Sequence, residues 1–579
     1  MGGGAIGSPA MGGLGMMPGS APGMLGPASV PGTMGMPGME GMTQFEAAGQ
    51  SPAMGMEAPA DSLSVRGRAL HSRLSDDQAT DWAYGGPTYA WRGAGQRFRL
   101  ERSAPGTEQY APILENDFLP AAAQPLSTFA IDVDTASYAN VRRFLTSGQL
   151  PPPDAVRIEE MVNYFRYDDP PPEGERPFSV HTEVTQCPWN VEHRLVRIGL
   201  KGREIERDRR GPSNLVFLLD VSGSMDEPDK LPLVKQAMTA LVEQLTEDDR
   251  VAIVTYAGEA GLRLESTNAA NKGKVLTAIE SLSAGGSTHG SAGIQLAYQQ
   301  ATEHFIPKGT NRVILATDGD LNVGITDDDE LVRLIERKAA GGVFLTVLGF
   351  GTGNLKDGKL ERLADKGNGV YAYIDSLREG RRVLVDQLSG SLVTIAKDVK
   401  VQVEFNPSEV KAYRLIGYEN RALAAQDFHN DCKDAGEIGA GHTVTALYEI
   451  VPAGNKGPDA AARESLRYQR DRREPTEAAA SGELLTVRLR YKEPDGEKSK
   501  LLESPLKDSG ARFGSASDDF RFAASVAAFG MLLRDSRYFG EATLAAVEEY
   551  AAGSLGEDPG GDRAEFLDLV RRTRTLTGK

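Results

Sequence analysis

Apolar and polar positions follow two distinct rhythms along this chain. Between residues 214 and 374 the apolar runs are nearly continuous: NLVFLLD (214–220), RVAIVTYA (250–257), RVILATD (312–318), VFLTVLGF (343–350) and GVYAYI (369–374). Such runs suit strands buried on both faces of a parallel sheet. The stretches between and after them predict helices over 231–245, 271–282, 291–304, 328–339, 358–365 and 377–389. Strands and helices alternating through short connections predict a doubly wound, mostly parallel α/β fold.

Beyond residue 391 the rhythm changes. The segments 399–406, 410–419, 443–451 and 484–493 alternate apolar and polar residues between turn signals, which predicts an antiparallel sheet or sandwich. Phe178, Val180, Val184, Leu195, Val196 and Ile198 alternate in the same way. Neither segment has enough apolar strand to bury a sheet face alone, so both are expected in one β layer. Upstream, a strand is predicted over Thr128–Val133 and a helix over Ala136–Thr146. Three consecutive prolines then break the chain, and Val156, Ile158, Met161, Val162 and Phe165 form the apolar face of a second helix. The end of the chain reads as amphipathic helices. The expected organisation is a Gly/Met-rich tail (1–65), a linker (66–110), a helix and strand region (111–176), a β segment (177–210), the α/β domain (211–392), the sandwich (393–500) and a helical region (501–579).

Composition changes this picture at the ends and in the choice of partner. The first segment holds 11 of the 15 methionines with almost no charge, too little to form a core, and is expected to be disordered. It has no positive region followed by an apolar stretch and no early cysteine. The sequence as given is therefore expected to be cytoplasmic, with an envelope or extracellular place open if the true start lies upstream. The formal charge of −17 argues against general binding to nucleic acid or anionic membrane. Cys187 and Cys432 lack metal-ligand spacing. They read as two buried thiols, with one long-range disulfide as the alternative.

The strongest chemical signal is DVSGSM (220–225), at the carboxyl end of the first buried strand, where open α/β sheets place their ligands. Asp220, Ser222 and Ser224 offer three oxygens at alternate positions on a tight turn, which suits one face of an octahedral hard cation. Thr288 on the Gly-rich loop AGGSTHGSAG and Asp318 at the end of another buried strand are expected at the same sheet edge. The run IDVDTASY (131–138) is a second candidate: Asp132, Asp134, Thr135 and Ser137 offer oxygens, although a capped helix start explains them more simply.

The pattern D-x-S-x-S with a separate Thr and a separate Asp resembles the metal-ion-dependent adhesion site of the von Willebrand factor type A superfamily. The resemblance implies that Asp220, Ser222, Ser224, Thr288 and Asp318 hold Mg²⁺, with Ca²⁺ or Mn²⁺ as alternatives. It further implies that the hydroxyls touch the ion, that the carboxylates often act through water, and that an acidic side chain of a protein partner completes the shell. STFAIDVDTASYANVRRFLTSGQLPP, FNPSEVKAYRLIGYENR and DAGEIGAGHTVTALYEIVP resemble the flanks of a bacterial family of A-domain proteins. The expected function is metal-dependent protein binding, as an adhesion or scaffold protein. No HExxH, GxSxG or P-loop pattern is present, so a non-enzyme is expected. A metal-dependent hydrolase, and an envelope-associated scaffold without metal-regulated binding, are the alternatives.

Overall fold

A computed structural model describes residues 106–205, 211–257, 260–285, 293–319, 327–387, 394–430, 436–455, 476–494 and 496–578. The Gly/Met-rich tail, Thr288 and Cys432 lie outside the described residues.

The chain enters through β1 (Leu119–Pro120) and β2 (Leu126–Ala130), then forms α1 (Ala136–Thr146) and the short α2 (Ile158–Asn163). A hairpin follows, β3 (Phe178–Cys187) and β4 (Asn190–Gly202). The α/β domain runs through β5 (Ser213–Asp220), α3 (Leu231–Gln244), β6 (Arg250–Tyr256), β7 (Ala260–Asn268), α4 (Lys272–Glu280) and α5 (Gly293–Glu303). It continues with β8 (Thr310–Thr317), α6 (Asp328–Ala340), β9 (Val343–Phe350), α7 (Asp357–Lys366), β10 (Tyr371–Ile374) and α8 (Leu377–Arg381). The remainder is β11 (Thr394–Phe405), β12 (Val410–Ile416), β13 (Ala422–Leu423), β14 (Ile438–Gly439), β15 (Thr443–Pro452), β16 (Glu483–Lys492) and β17 (Ser499–Lys507). Three helices close the chain: α9 (Asp518–Arg534), α10 (Leu544–Ala552) and α11 (Asp562–Thr577).

The α/β sheet has the order β10-β9-β8-β5-β6-β7. Its pairs are parallel except β6 with β7, which is antiparallel. Every residue of β5 is buried, as its uninterrupted apolar run requires. Leu215, Phe217 and Leu219 face one apolar cluster with α3 and α4. Val216 and Leu218 face the other, with α5, α6 and α7. The expected α/β fold with a flanking antiparallel sandwich and C-terminal helices is the fold found. One strand lies outside the predicted runs: residues 260–268 form the edge strand β7. Its exposed positions, with Leu264 and Thr267 buried, hide the strand from a search for buried runs.

The sandwich joins distant segments. One sheet has the order β1-β12-β15-β4-β3 and the other β13-β2-β11-β16-β17. Phe178, Val196, Val401, Val403, Phe405, Tyr413 and Tyr448 meet between them, with the Phe405 and Tyr413 rings stacked at 3.7 Å. The edge strand β17 carries mostly polar or exposed positions and was missed for that reason. A helical layer of α2, α9, α10 and α11 packs on Leu195, Ile416 and Leu447 from the outer side of the first sheet.

Ser517 starts α9, accepting from Phe520 N at 3.1 Å and donating to Glu183 Oε2 at 2.6 Å. Ser517→Ala is expected to lower stability by about 1 kcal/mol, the usual loss of a helix cap, read as a shift in the urea midpoint.

Candidate metal centre

The strand order creates the site. β5 and β8 are neighbours, but the helices that follow them cover opposite faces of the sheet: α3 one, α6 the other. The chain therefore diverges at their carboxyl ends and leaves a crevice, the place where open α/β sheets bind ligands. Asp220 is the last residue of β5, and Asp318 follows the last residue of β8. Both side chains are buried.

The first loop folds back tightly. Asp220 Oδ1 accepts from Ser222 N at 2.9 Å, and Met225 N donates to Ser222 O at 3.0 Å. Two further backbone bonds tie the loop to its surroundings: Val221 N to Tyr256 O at 3.0 Å and Gly285 N to Val221 O at 2.8 Å. The Ser222 and Ser224 hydroxyl oxygens stand 3.0 Å apart, Ser222 buried and Ser224 exposed. Thr317 Oγ1 donates to Asp220 Oδ2 at 3.4 Å. Asp318 Oδ2 accepts from Lys230 Nζ at 3.2 Å, and the same ammonium donates to Ser224 O at 2.9 Å. Asp318 Oδ1 is buried and finds no hydrogen-bond donor among the described residues. Gly319 has φ +119°, and a Cβ there would lie 2.3 Å from Asn354 O, so glycine lets the third loop pass against its neighbour.

Burial pushes the Asp220 carboxyl up to about 6, against hydrogen bonds from Ser222 and Thr317, and nearby Asp318 adds to the rise. Two buried carboxylates so close need positive charge. An orphaned carboxylate oxygen beside paired hydroxyls fits a hard divalent cation. Asp220, Ser222, Ser224 and Asp318 are thus brought to one sheet edge, while Thr288 lies outside the described residues. Sequence reasoning missed Lys230 and Thr317. Nothing in the spacing singled out either one.

A second group of acids lies where the α/β domain meets its flanks. Asp134, Glu160 and Glu361 each bring an oxygen within 4.8 Å of the others, close enough to hold one divalent cation. Asp134 accepts from Tyr371 N at 2.7 Å and Arg421 Nη2 at 2.8 Å. Arg157 bridges Glu160 (3.4 Å), Asp357 (2.6 Å) and Glu361 (2.9 Å). Arg421 reaches Asp132, Asp365 and Glu361 as well. Burial pushes Glu160 and Glu361 up to about 7, with the Arg157 guanidinium opposing the rise. The simple capped-helix reading of residues 131–138 is corrected here. Thr135, at the N-cap of α1, makes no capping bond. Instead Glu160 Oε2, brought from α2, accepts from Ser137 N at 2.8 Å. Asp134 is occupied by β10 and Arg421.

Three family descriptions match the chain. "von Willebrand factor" covers residues 104–197, "von Willebrand factor type A domain" covers 214–383, and "Uncharacterized protein YfbK, C-terminal" covers 390–576. "Uncharacterized protein YfbK" of Escherichia coli (strain K12) is 43% identical over 480 residues, 82% of this chain and 82% of that protein. "Uncharacterized protein sll0103" of Synechocystis is 34% identical over 191 residues, 33% of this chain and 44% of that protein. Among solved structures, von Willebrand factor type A from Catenulispora acidiphila covers 70% of this chain and 97% of its own, at 18% identity and a TM-score of 0.37.

Proposed function

The chain belongs to the YfbK family of bacterial proteins built around a von Willebrand factor type A domain, and from that premise we propose that it is a protein-binding module dependent on a divalent cation. Asp220, Ser222, Ser224, Thr288 and Asp318 are the proposed ligands, and Mg²⁺ the proposed ion, with Ca²⁺ and Mn²⁺ as alternatives. The observation that carries this reading is the buried Asp318 Oδ1, without a hydrogen-bond donor among the described residues, in a crevice that also holds Asp220 and two paired hydroxyls. A buried carboxylate oxygen without a donor is costly, and a cation removes that cost.

The hydroxyls contribute no formal charge and Lys230 already offsets one of the two carboxylates, so a bound cation would attract an anionic group to complete its shell. An acidic side chain of a partner protein supplies one, in a charge-assisted contact. Ser224 is exposed, which leaves the site open to a macromolecule. Among the described residues no helix is long and apolar enough to cross a membrane.

The test is a pull-down from the source cell with the full chain, with and without chelator, beside Asp220→Ala. A protein retained by the wild type, released by chelator and lost in the variant is the expected result. The fold of the variant is checked by its circular dichroism and melting. Partners retained equally in all three samples would remove the metal-coupled reading in favour of a plain scaffold.

A further inference from the structure

The lysine that joins two of the loops bears on how this site is loaded. Lys230 lies at the start of α3 and is 5% exposed. Its ammonium connects the first loop, through Ser224 O at 2.9 Å, to the third, through Asp318 Oδ2 at 3.2 Å. Its stem runs against Gly351, where a Cβ would come within 2.3 Å of Lys230 Cε. Glycine at that position, with φ +69°, leaves the lysine a channel to reach the carboxylate. This arrangement is absent from the D-x-S-x-S, Thr and Asp pattern.

We propose that Lys230 is a positioning residue that makes the site weak for the cation alone and strong for the cation together with an anionic ligand. The inference rests on the proposed cation site and adds the rule by which it loads. Asp220 and Asp318 bring two negative charges to the crevice, enough by themselves to balance a divalent ion. The lysine adds a positive charge that is already bonded to one of them. A divalent ion entering beside it leaves an excess positive charge among the buried side chains of Asp220, Asp318 and Lys230, where such charge is costly. An acidic side chain arriving from outside removes the excess. Cation and partner therefore strengthen each other's binding reciprocally, and the lysine sets the size of that coupling. The same ammonium holds the first and third loops together, so the site is kept in shape although its occupancy by the ion alone is low.

Two expectations follow, with opposite signs. Removing the charge weakens the fold in chelator, because buried Asp318 loses its counter-charge. It tightens the cation, because a repulsive charge within a few ångströms is gone; at the dielectric typical of protein sites this is worth at least about tenfold in affinity. A purely structural lysine gives the other pattern, with cation binding falling together with stability.

The experiment uses the full chain as wild type, Lys230→Met, Lys230→Gln and Lys230→Arg. It reads Mn²⁺ binding by titration calorimetry, and melting in chelator and in excess Mn²⁺. The expected result is Mn²⁺ bound about tenfold or more tighter by Lys230→Met and Lys230→Gln, a lower melting temperature for both in chelator, and a larger rise on adding Mn²⁺. Lys230→Arg, which keeps the charge, stays near the wild-type affinity. If the neutral variants unfold in chelator, recovery of the fold by Mn²⁺ supports the proposal, and failure to recover overturns it. Wild-type binding with unchanged or weaker affinity in the neutral variants overturns the proposal alone. No Mn²⁺ binding by wild type or variants overturns it together with the cation site itself.

Discussion

Arg157→Ala is expected to lower stability at pH 7 by about 3–5 kcal/mol, the usual loss when one partner of a buried ion pair is removed. Arg157 is 3% exposed, and its guanidinium sits among Glu160, Asp357 and Glu361. These acids come from α2 and α7, so the arginine joins the N-terminal region to the α/β domain. Six carboxylates, Asp132, Asp134, Glu160, Asp357, Glu361 and Asp365, share two guanidiniums at this junction. Taking away Arg157 strips buried Glu160 and Asp357 of their guanidinium and leaves Arg421 alone against six acids. The acids respond by taking up protons, so the loss is expected to shrink at pH 5. Arg488 provides the contrast. Its pairs with Glu404 and Glu503 lie on the surface of β16, and Arg488→Ala is expected to cost less than about 1 kcal/mol. Urea unfolding of both variants at pH 5 and pH 7 checks the pair of expectations. An Arg157→Ala chain within 1 kcal/mol of wild type at pH 7 would show that the junction does not carry the interface.

Glu159→Gln is expected to stabilise the protein at alkaline pH, by on the order of 3 kcal/mol at pH 8, and to be nearly neutral at pH 5. Burial pushes the Glu159 carboxyl up to about 7, nearby Glu419 adds to the rise, and Arg534 and Arg157 oppose it. Its Oε2 is buried with no hydrogen-bond partner among the described residues. The ordinary glutamate value of 4.5 describes the unfolded chain. Between about 4.5 and 7 the folded state holds the proton more tightly, so the stability tied to the proton is complete below that window and is lost as pH rises through it. A glutamine carries no charge to bury and removes this dependence. The measurement is the difference in urea midpoint between wild type and variant across pH 5 to 8. A difference that stays flat, or a variant less stable than wild type at pH 8, would refute the assignment.

The two predictions concern residues whose importance could not be read in advance. Glu159, Glu160 and Arg157 stand in VRIEEMVNYF, where the apolar residues marked a helix face and nothing in the pattern gave the charged ones a role. In the structure all three are buried, because α2 and the residue before it are enclosed by α7, α9 and the loop after β12. Helical periodicity tells which residues share a face, but not how many faces are covered. The same limit hid β7 and β17. An edge strand lacks the continuous apolar run of a central one, since one side of its ladder and part of its surface remain in water.

What the amino-acid sequence determined by itself is the set of features stored in contiguous residues. The strands β5, β6, β8 and β9 were legible because a strand buried on both faces must be apolar throughout. Helix α1 was legible to its exact ends, and Asp220, Ser222 and Ser224 stood out because a tight turn brings alternate residues together. Only the tertiary structure decided the contacts between distant segments. It set β2 against β11, and it chose β15 as the partner of β4 within the shared β layer that the pattern predicts. It carried Glu160 to the amino end of α1, gathered six acids around two arginines, and placed Lys230 on Asp318. Those contacts depend on which surfaces the folded chain brings face to face. A lone lysine or glutamate carries no local mark of its partner, because the burial that forces it to find one exists only after the layers have packed.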